Sequence, residues 1–486
     1  MTGDLDAVVV GAGPNGLAAA VTLARAGLSV RVYERASQPG GGAATTELTL
    51  PGYRHDVCSA VHPMAFESRF FREFGLAQRV EFAVPEASFA HPLDGVRAAV
   101  AYRDLERTRV GLGRDGDAYA RLMRPLAAHA AAVAEFTGGS LLRVPPDPLV
   151  AAVFGLRALE QGSPLWNLRF REQAAPALLT GVAAHTITAL PSLGAAGAGL
   201  ALAAYGHARG WPIPRGGSQA ITDAMVVDLR AHGGEVVTDA EVTSLRDLPS
   251  ARVRLLDTTP AALLRLAGDE LPPAYRSALA RFRYGNGVAK VDFALSAPVP
   301  WQDPEVAAAG TVHVGGTRAE VAAAENAVAR GRHPDRPYVL ASQPSAFDDT
   351  RAPAGGHVLW AYTHVPAGSD VDRQEAVIRQ IERFAPGFRD TIVAIHSRTA
   401  IDVARHNPNY PGGDISAGMP TMWQMLRRPV LRPDPWRTPA PGLYLCSASS
   451  APGPGVHGLC GWWAARSALR HDFGIPALPD LSPRAV

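Results

Sequence analysis

Lysine is nearly missing from this chain. Of 47 Lys and Arg residues one, Lys290, is lysine and the others are arginine. A GC-rich genome accounts for that bias, and the exception stands out against it. Cysteine is scarce as well. Cys58, Cys446 and Cys460 are too few and too scattered for a disulfide framework, and no C-x-x-C occurs, which argues against a disulfide reductase and fits a reducing cytoplasm. An excess of either charge is also lacking. The 47 basic residues face 45 acidic ones, net +2, with no long run of one sign, so nucleic acid is not an expected partner. No basic-then-apolar leader precedes "LDAVVVGAGPNG", so no secretion signal is expected. H-E-x-x-H, a metal-spaced Cys/His cluster and a G-x-S-x-G elbow are absent, which leaves metallo- and serine-hydrolase chemistry without a foothold.

What is present is enough apolar sequence for a large core. At 486 residues and 47% hydrophobic, the length suggests roughly two to four domains. "DAVVVGAGPNGLAAAVTLARAGLSVRVYE" reads as strand, tight turn, helix, strand. Gly11, Gly13 and Gly16 fit G-x-G-x-x-G in the context that gives the motif meaning. Gly11 permits the turn, Gly13 lets backbone approach a pyrophosphate on the helix N-terminus, and Gly16 allows close helix–strand packing. Glu34, ending the second strand, is placed for a ribose 2′-hydroxyl and disfavours a 2′-phosphate. A second letter-perfect match, "GLGRDG" at Gly111–Gly116, follows the charged "AYRDLERTRV" rather than a buried strand. It is read as a loop entering a helix, with Asp115 as turn or N-cap. One dinucleotide site is therefore expected, not two.

Further α/β units follow at "PRGGSQAITDAM", "ARVRLLDTTPAALLRLAG" and "GLYLCSASSAPGPGVHGLCGWWAA". Between them lie an Ala-rich helical segment and a turn-rich stranded one. The expected organisation is a dinucleotide domain from residues 1–85, 211–295 and 429–486, and a substrate domain from 86–210 (helical) and 296–428. From Gln173 to Ala208 there is no charged residue. That stretch is read as a buried helix pair, with an apolar tunnel wall or a lipid-touching surface as the functional alternative; Pro191 and the Gly/Ala richness argue against a membrane span.

The glycine triplet Gly40–Gly42 in "RASQPGGGAATTELTLPGYRHD", the central "PRGGSQAITDAM…GGEVVTDAEVTSL", "NPNYPGGD" and the C-terminal "GLYLCSASSAPGPGVHG" together resemble the phytoene desaturase group of the amine oxidase-like flavoproteins. The resemblance spans essentially the whole chain and is most specific in its first and last fifty residues. It implies FAD, with Gly11, Gly13, Gly16, Glu34, Arg35, Gly41 and Gly42 at the ADP half, Val242 beside the adenine, and Gly455, Val456, His457 and Gly458 near the isoalloxazine. The chain departs from many relatives where Gly42, Ala43 and Ala44 replace an arginine-containing stretch, and where Ser447-Ala448 replaces Gly-Asp.

Lys290, in "GNGVAKVDFALSAPVPW", resembles the strand lysine that reaches flavin N5 through a water in flavin amine oxidases; the bland reading is an ordinary strand lysine. His55, His62, His185 and His457 are candidates for proton transfer; His62 and His457, with Lys290, are the expected catalytic residues. Covalent attachment through Cys58 or His62 is disfavoured, and Arg215 is read as structural. The expected fold is α/β, a Rossmann-type FAD-binding domain of discontinuous segments with an inserted substrate domain of mixed sheet and helices. The expected activity is two-electron dehydrogenation of a largely apolar small molecule, carotenoid-like or a secondary metabolite, with oxygen or a quinone as acceptor. Amine oxidation, redox-neutral isomerisation or cyclisation of a polyene, and a binding protein that holds FAD without turnover are the rivals. The expected location is cytoplasmic, with peripheral membrane contact left open.

Overall fold

A computed structural model describes residues 5–483. Five short parallel strands form the first sheet, in the spatial order Leu443–Leu445, Ala251–Leu256, Leu5–Val10, Val30–Tyr33, Glu235–Val237. Parallel strands need crossovers, and the crossovers cover both faces, so the central strand reads as a continuous apolar run. Ala7, Val8 and Val9 are accordingly fully buried. On one face the helices Pro14–Arg25, Gln219–Ala231 and Leu459–Asp472 pack through Leu17, Val21, Met225, Leu229 and Trp462. The helices Pro260–Ala267 and Pro273–Ala280 cover the other, through Leu263, Tyr275 and Leu279. Each such Val or Leu stabilises by about 1.5–3 kcal/mol when removed from water.

The second sheet has seven strands in the order Ile392–Arg398, Gly287–Leu295, His357–Val365, Val339–Ser342, Ala309–Val314, Ala87–Leu93, Val96–Tyr102. All neighbours are antiparallel except Ala309–Val314 with Ala87–Leu93, so the sheet is mixed. The helices Gly116–Ala128, Ala174–Ala183 and Leu193–Ala208 lie over Phe89, Ala99 and Ala101 on one face; Gln374–Glu382 covers the other with Val377, Ile378 and Ile381.

Two expected boundaries need correction. The strand Gly287–Leu295, placed by the sequence at the end of the second dinucleotide segment, pairs on both edges within the seven-stranded sheet, so that segment stops before Gly287. The segment expected to be helical opens with a β-hairpin, Ala87–Leu93 and Val96–Tyr102, which supplies one edge of the same sheet. The charge-free stretch is a buried helix pair in which Leu178, Val182, Ala203 and Ala204 join the core. No helix among the described residues is long and apolar enough to cross a membrane.

Candidate active site

A cavity of about 1290 Å³ runs from the first sheet to the second. A single drug-sized ligand occupies roughly 300–1,000 Å³, so this space accommodates a dinucleotide and a second molecule. Its first end is built by the glycine-rich turn. The strand ends at Val10, Gly11 turns at φ +101°, and the helix begins at Pro14 with Gly13 as N-cap and no side chain capping it. Gly13, Pro14 and Asn15 line the cavity, so an uncapped helix N-terminus faces it, as a pyrophosphate requires. Gly16 does not line it. A Cβ there would sit 2.0 Å from the Gly11 carbonyl oxygen, which is the close approach its position demands.

Glu34 is buried between two backbone segments. Its Oε2 accepts from the Ala12 N–H (2.8 Å) and its Oε1 from the Ala36 N–H (2.9 Å), which fixes the carboxylate and leaves lone pairs toward the cavity. Arg35 is exposed and reaches the His406 carbonyl at 3.1 Å. Gly41 lies with its Cβ direction 3.0 Å from the Cα of Gly13, and Gly42 abuts the Tyr410 hydroxyl; both line the cavity. Ala240 donates its N–H to the Glu34 carbonyl, which carries the chain past Glu34 and sets Val242 on the same wall. Gly455, Val456 and His457 complete the opposite side. Gly458 does not line the cavity; a Cβ there would meet Phe70 and Ala18, so it is a packing glycine at the start of the last helix. The residues present fit a dinucleotide with a free 2′-hydroxyl.

The sequence reading missed Asp257. It follows the strand Ala251–Leu256 and is 9% exposed; its Oδ2 accepts the Gly16 N–H at 2.9 Å and lies 2.9 Å from where Gly13 would carry a Cβ. Burial, offset by that N–H and reinforced by the nearby Glu34 charge, pushes its carboxyl up to about 7. An acid ending an apolar strand just before a Pro-initiated helix was the available signal.

The candidate proton-transfer residues separate by geometry. His457 is buried with both nitrogens engaged: Nδ1 accepts the Leu459 N–H (3.0 Å) and Nε2 faces the Gly453 carbonyl (3.1 Å). It ties the C-terminal loop to the last helix. His62 holds Ser218 Oγ through Nε2 at 2.7 Å; that hydroxyl donates onward to the Ser59 carbonyl, so His62 Nε2 carries the proton. Its Nδ1 is enclosed and has no partner. Burial holds both rings down to about 4, hence neutral. His55 lies outside the cavity, bonded to Thr49 and 3.7 Å from Asp292.

Lys290 is also outside the large cavity. It is 4% exposed, its ammonium is paired with Asp292 two residues along the same strand face, and Arg398 stands opposite on the next strand. Its other neighbour is the Trp360 ring, centroid at 5.5 Å. A void of about 20 Å³, room for one water, lies beside it and is walled by Gly41, Cys58, Tyr362 and Tyr410, which also face the large cavity. Arg215 pairs with Asp349 at the surface.

"GLGRDG" takes no part. Gly111 ends the helix Leu105–Gly111, Gly116 begins the next helix, and none of its residues lines the cavity. Asp115 caps no residue of its own helix but accepts the N–H groups of Arg171 and Glu172. No group of three or more metal-ligating side chains converges among the described residues.

The second end of the cavity is walled by Phe136, Phe154, Ala201, Trp211, Leu340 and Trp360, among others. Among the described residues, the acids that line the cavity are Glu34, Glu241 and Asp257, all in the dinucleotide domain. Two residues of the cavity lining, Leu159 and Met422, are also exposed at the surface. Around Leu159, the helix Pro148–Gln161 and its flanks expose Val144, Leu149, Leu156, Leu165 and Leu168, with Trp423 beside Met422.

A family model described as an NAD(P)-binding Rossmann-like domain matches residues 9–74. The chain is 26% identical, over 96% of its length and 94% of the relative's, to pyridine nucleotide-disulfide oxidoreductase domain-containing protein 2 of Rattus norvegicus. It is 24% identical to the neurosporene-forming phytoene desaturase of Rhodobacter capsulatus, over 97% and 95% of the two chains. The fold is that of cyclohexylamine oxidase from Brevibacterium oxydans, with a TM-score of 0.58 and 16% identity across 97% and 100% of the two chains. With the dinucleotide cradle and the mixed second sheet, these likenesses make the chain an oxidoreductase similar to the phytoene desaturase-like and amine oxidase-like flavoproteins.

Proposed function

We propose that the protein binds FAD non-covalently and dehydrogenates a neutral, largely apolar small molecule by two electrons, with oxygen or a quinone as final acceptor. The observation that carries this reading is the charge distribution of the cavity: its acids are at the dinucleotide end, while its other end is mainly aromatic and aliphatic, with uncharged polar groups such as Thr311 and Ser342 between them. FAD, when bound, supplies hydride acceptance. The chain supplies the rest: an uncapped helix N-terminus for the pyrophosphate, Glu34 for the ribose, and apolar walls that exclude water from the reacting carbons.

A substrate amine is less well matched. The Trp360 and Tyr362 rings stand edge to face, 5.1 Å apart at 82°, rather than as facing walls, and the Lys290 ammonium already lies near the Trp360 ring. The purified protein should be yellow, and acid precipitation should leave FAD in the supernatant. Flavin retained in the pellet would place a covalent bond, with Cys58 on the cavity wall as the first residue to examine. A colourless protein that cannot be reconstituted would refute the reading.

We also assign the exposed apolar surface around Leu159 and Met422 to contact with a lipid surface, because an apolar substrate needs an apolar route in and patches of this kind mark interaction sites. The protein should float with phosphatidylcholine liposomes, and a Leu149→Glu/Leu156→Glu double variant should remain in the dense fraction. A wild-type protein that does not float contradicts the assignment.

A further inference from the structure

A buried arginine lines the cavity with no acid paired to it. Arg428 is 1% exposed, and its guanidinium donates to three backbone carbonyls: Nε to Ala448 at 2.9 Å, Nη1 to Gly418 at 3.2 Å and Nη2 to Ser416 at 2.7 Å. These carbonyls belong to two loops that share a wall of the cavity, one ahead of the helix Met422–Leu426 and one after the strand Leu443–Leu445. A guanidinium has five N–H donors, so two remain beyond those three bonds. Among the described residues no carboxylate forms an ion pair with it. The acid whose charge bears on it is Asp414, which already accepts the N–H groups of Gly285, Ser416 and Gly418.

The other cations in and around the cavity are screened or paired. Arg35 and Arg265 line it but are exposed, where water and salt screen them. Lys290 stands outside it, paired with Asp292. Arg428 is thus the buried arginine of the lining, and burying a charge without a partner is costly unless something at the site returns the energy. Burial holds it down to about 10, so it is still charged at neutral pH. Its place in the fold says what that something is. Ligands of a parallel sheet sit beyond the carboxyl ends of the strands. The neighbouring strands Leu443–Leu445, Ala251–Leu256 and Leu5–Val10 run on into Ala448, Asp257 and Gly11, so the Ala448 carbonyl that holds Arg428 is on the same edge as the dinucleotide cradle. From there the loop passes Gly453, where a Cβ would lie 3.5 Å from Arg428 Nε, to Gly455–His457 on the cavity wall. The arginine therefore borders the space in front of the cradle.

We infer that Arg428 is the counter-charge of the reduced flavin. This rests on the flavin assignment proposed above. There, hydride leaves a substrate C–H bond for the flavin. Two electrons and one proton arrive, so the flavin gains one negative charge; the substrate loses a second proton to water and is oxidised by two electrons. A cation with no acid paired to it favours that charge. In a dry site the attraction falls only as the inverse of distance, so it acts without contact. The pyrophosphate has its own partner in the uncapped helix N-terminus at Gly13. Arg428 thereby makes the flavin a stronger oxidant, which removal of hydride from a neutral apolar molecule demands.

The test is the midpoint potential of the flavin-loaded, full-length protein, titrated with dithionite against a reference dye. The wild-type potential should lie above that of free FAD. Arg428→Gln keeps a hydrogen-bonding amide but no charge. It should weaken binding of reduced relative to oxidised flavin by about 10²-fold, the usual loss for such a group, which is a drop of about 60 mV at about 30 mV per tenfold for a two-electron couple. Arg428→Lys keeps the charge but cannot bridge three carbonyls, so its potential should stay closer to wild type than that of Arg428→Gln. Both variants should melt lower, so melting reports the loops and the potential reports the charge. An Arg428→Gln potential equal to wild type, or an Arg428→Lys potential as low as that of Arg428→Gln, overturns the inference. So does weaker binding of ADP and FAD alike with no change in potential, which would assign the arginine to the pyrophosphate. The wild-type value decides even where a variant fails to fold, since a potential at or below that of free FAD also overturns it. A protein that takes up no flavin refutes the proposed function instead, and its lack of colour is seen before any potential is measured.

Discussion

Gly13→Val should abolish flavin binding, whereas Gly111→Ala should leave flavin content unchanged. Both residues belong to a letter-perfect G-x-G-x-x-G, and the sequence alone offers no difference in the letters. The structure does. A Cβ at Gly13 would fall 2.9 Å from the Asp257 carboxylate, inside the cradle itself, and two further methyls would fill the space a pyrophosphate needs. At Gly111 an added Cβ has nothing within 4 Å. Flavin absorbance per mole of protein reads both outcomes; loss of flavin in Gly111→Ala, or its retention in Gly13→Val, contradicts the single-site account. The wild-type site should also respond to pH. Asp257 is neutral below its raised value near 7 and anionic above it, beside the position of a doubly negative pyrophosphate. FAD affinity should therefore fall as pH rises through about 7, by at most about tenfold per pH unit, and Asp257→Asn should flatten the profile.

Lys290→Met should lower the melting temperature sharply. The variant leaves Asp292, which is fully buried, with Arg398 as its remaining cationic neighbour, and breaking a buried ion pair typically costs about 3–5 kcal/mol. Replacing both partners, Lys290→Met with Asp292→Asn, should recover most of the loss, because no charge is then stranded. Differential scanning fluorimetry of the three proteins decides it. If Lys290→Met melts like wild type but its flavin reoxidises about 10²–10³ more slowly in oxygen, the lysine acts on the cavity through the adjoining void rather than as a buried partner.

How much of this was legible depended on whether the signal was local. The turn at Gly11–Gly16, the acid at Glu34 and the helix after Gly458 are written in consecutive residues, because a strand–turn–helix unit carries its own periodicity and its own glycines. The strand of Lys290 is equally plain as a strand, but its sheet is not: "GVAKVDFAL" is apolar and alternating in either domain, and only its pairing with His357–Val365 and Ile392–Arg398 assigns it to the second. The meeting of His91, His185 and His313 behind the cavity was illegible for the same reason. His91, His185 and His313 are far apart in sequence and meet because Ala309–Val314 pairs in parallel with Ala87–Leu93 beneath the Gly181 helix. The sequence favoured His62 and His457 for their closeness to the glycine clusters, and that closeness is what ties their ring nitrogens into the loops.

The central claim is that a flavin in this cavity takes hydride from a neutral apolar molecule and not from a nicotinamide or an amine. Anaerobic mixing of the yellow protein with a panel of carotenoids and other polyenes, primary and secondary amines, NADH and NADPH tests it directly, with flavin absorbance as the readout. The account predicts saturable bleaching by at least one neutral polyene and slow or absent bleaching by the nicotinamides. Rapid, saturable bleaching by NADH or NADPH, or by amines alone, would contradict it.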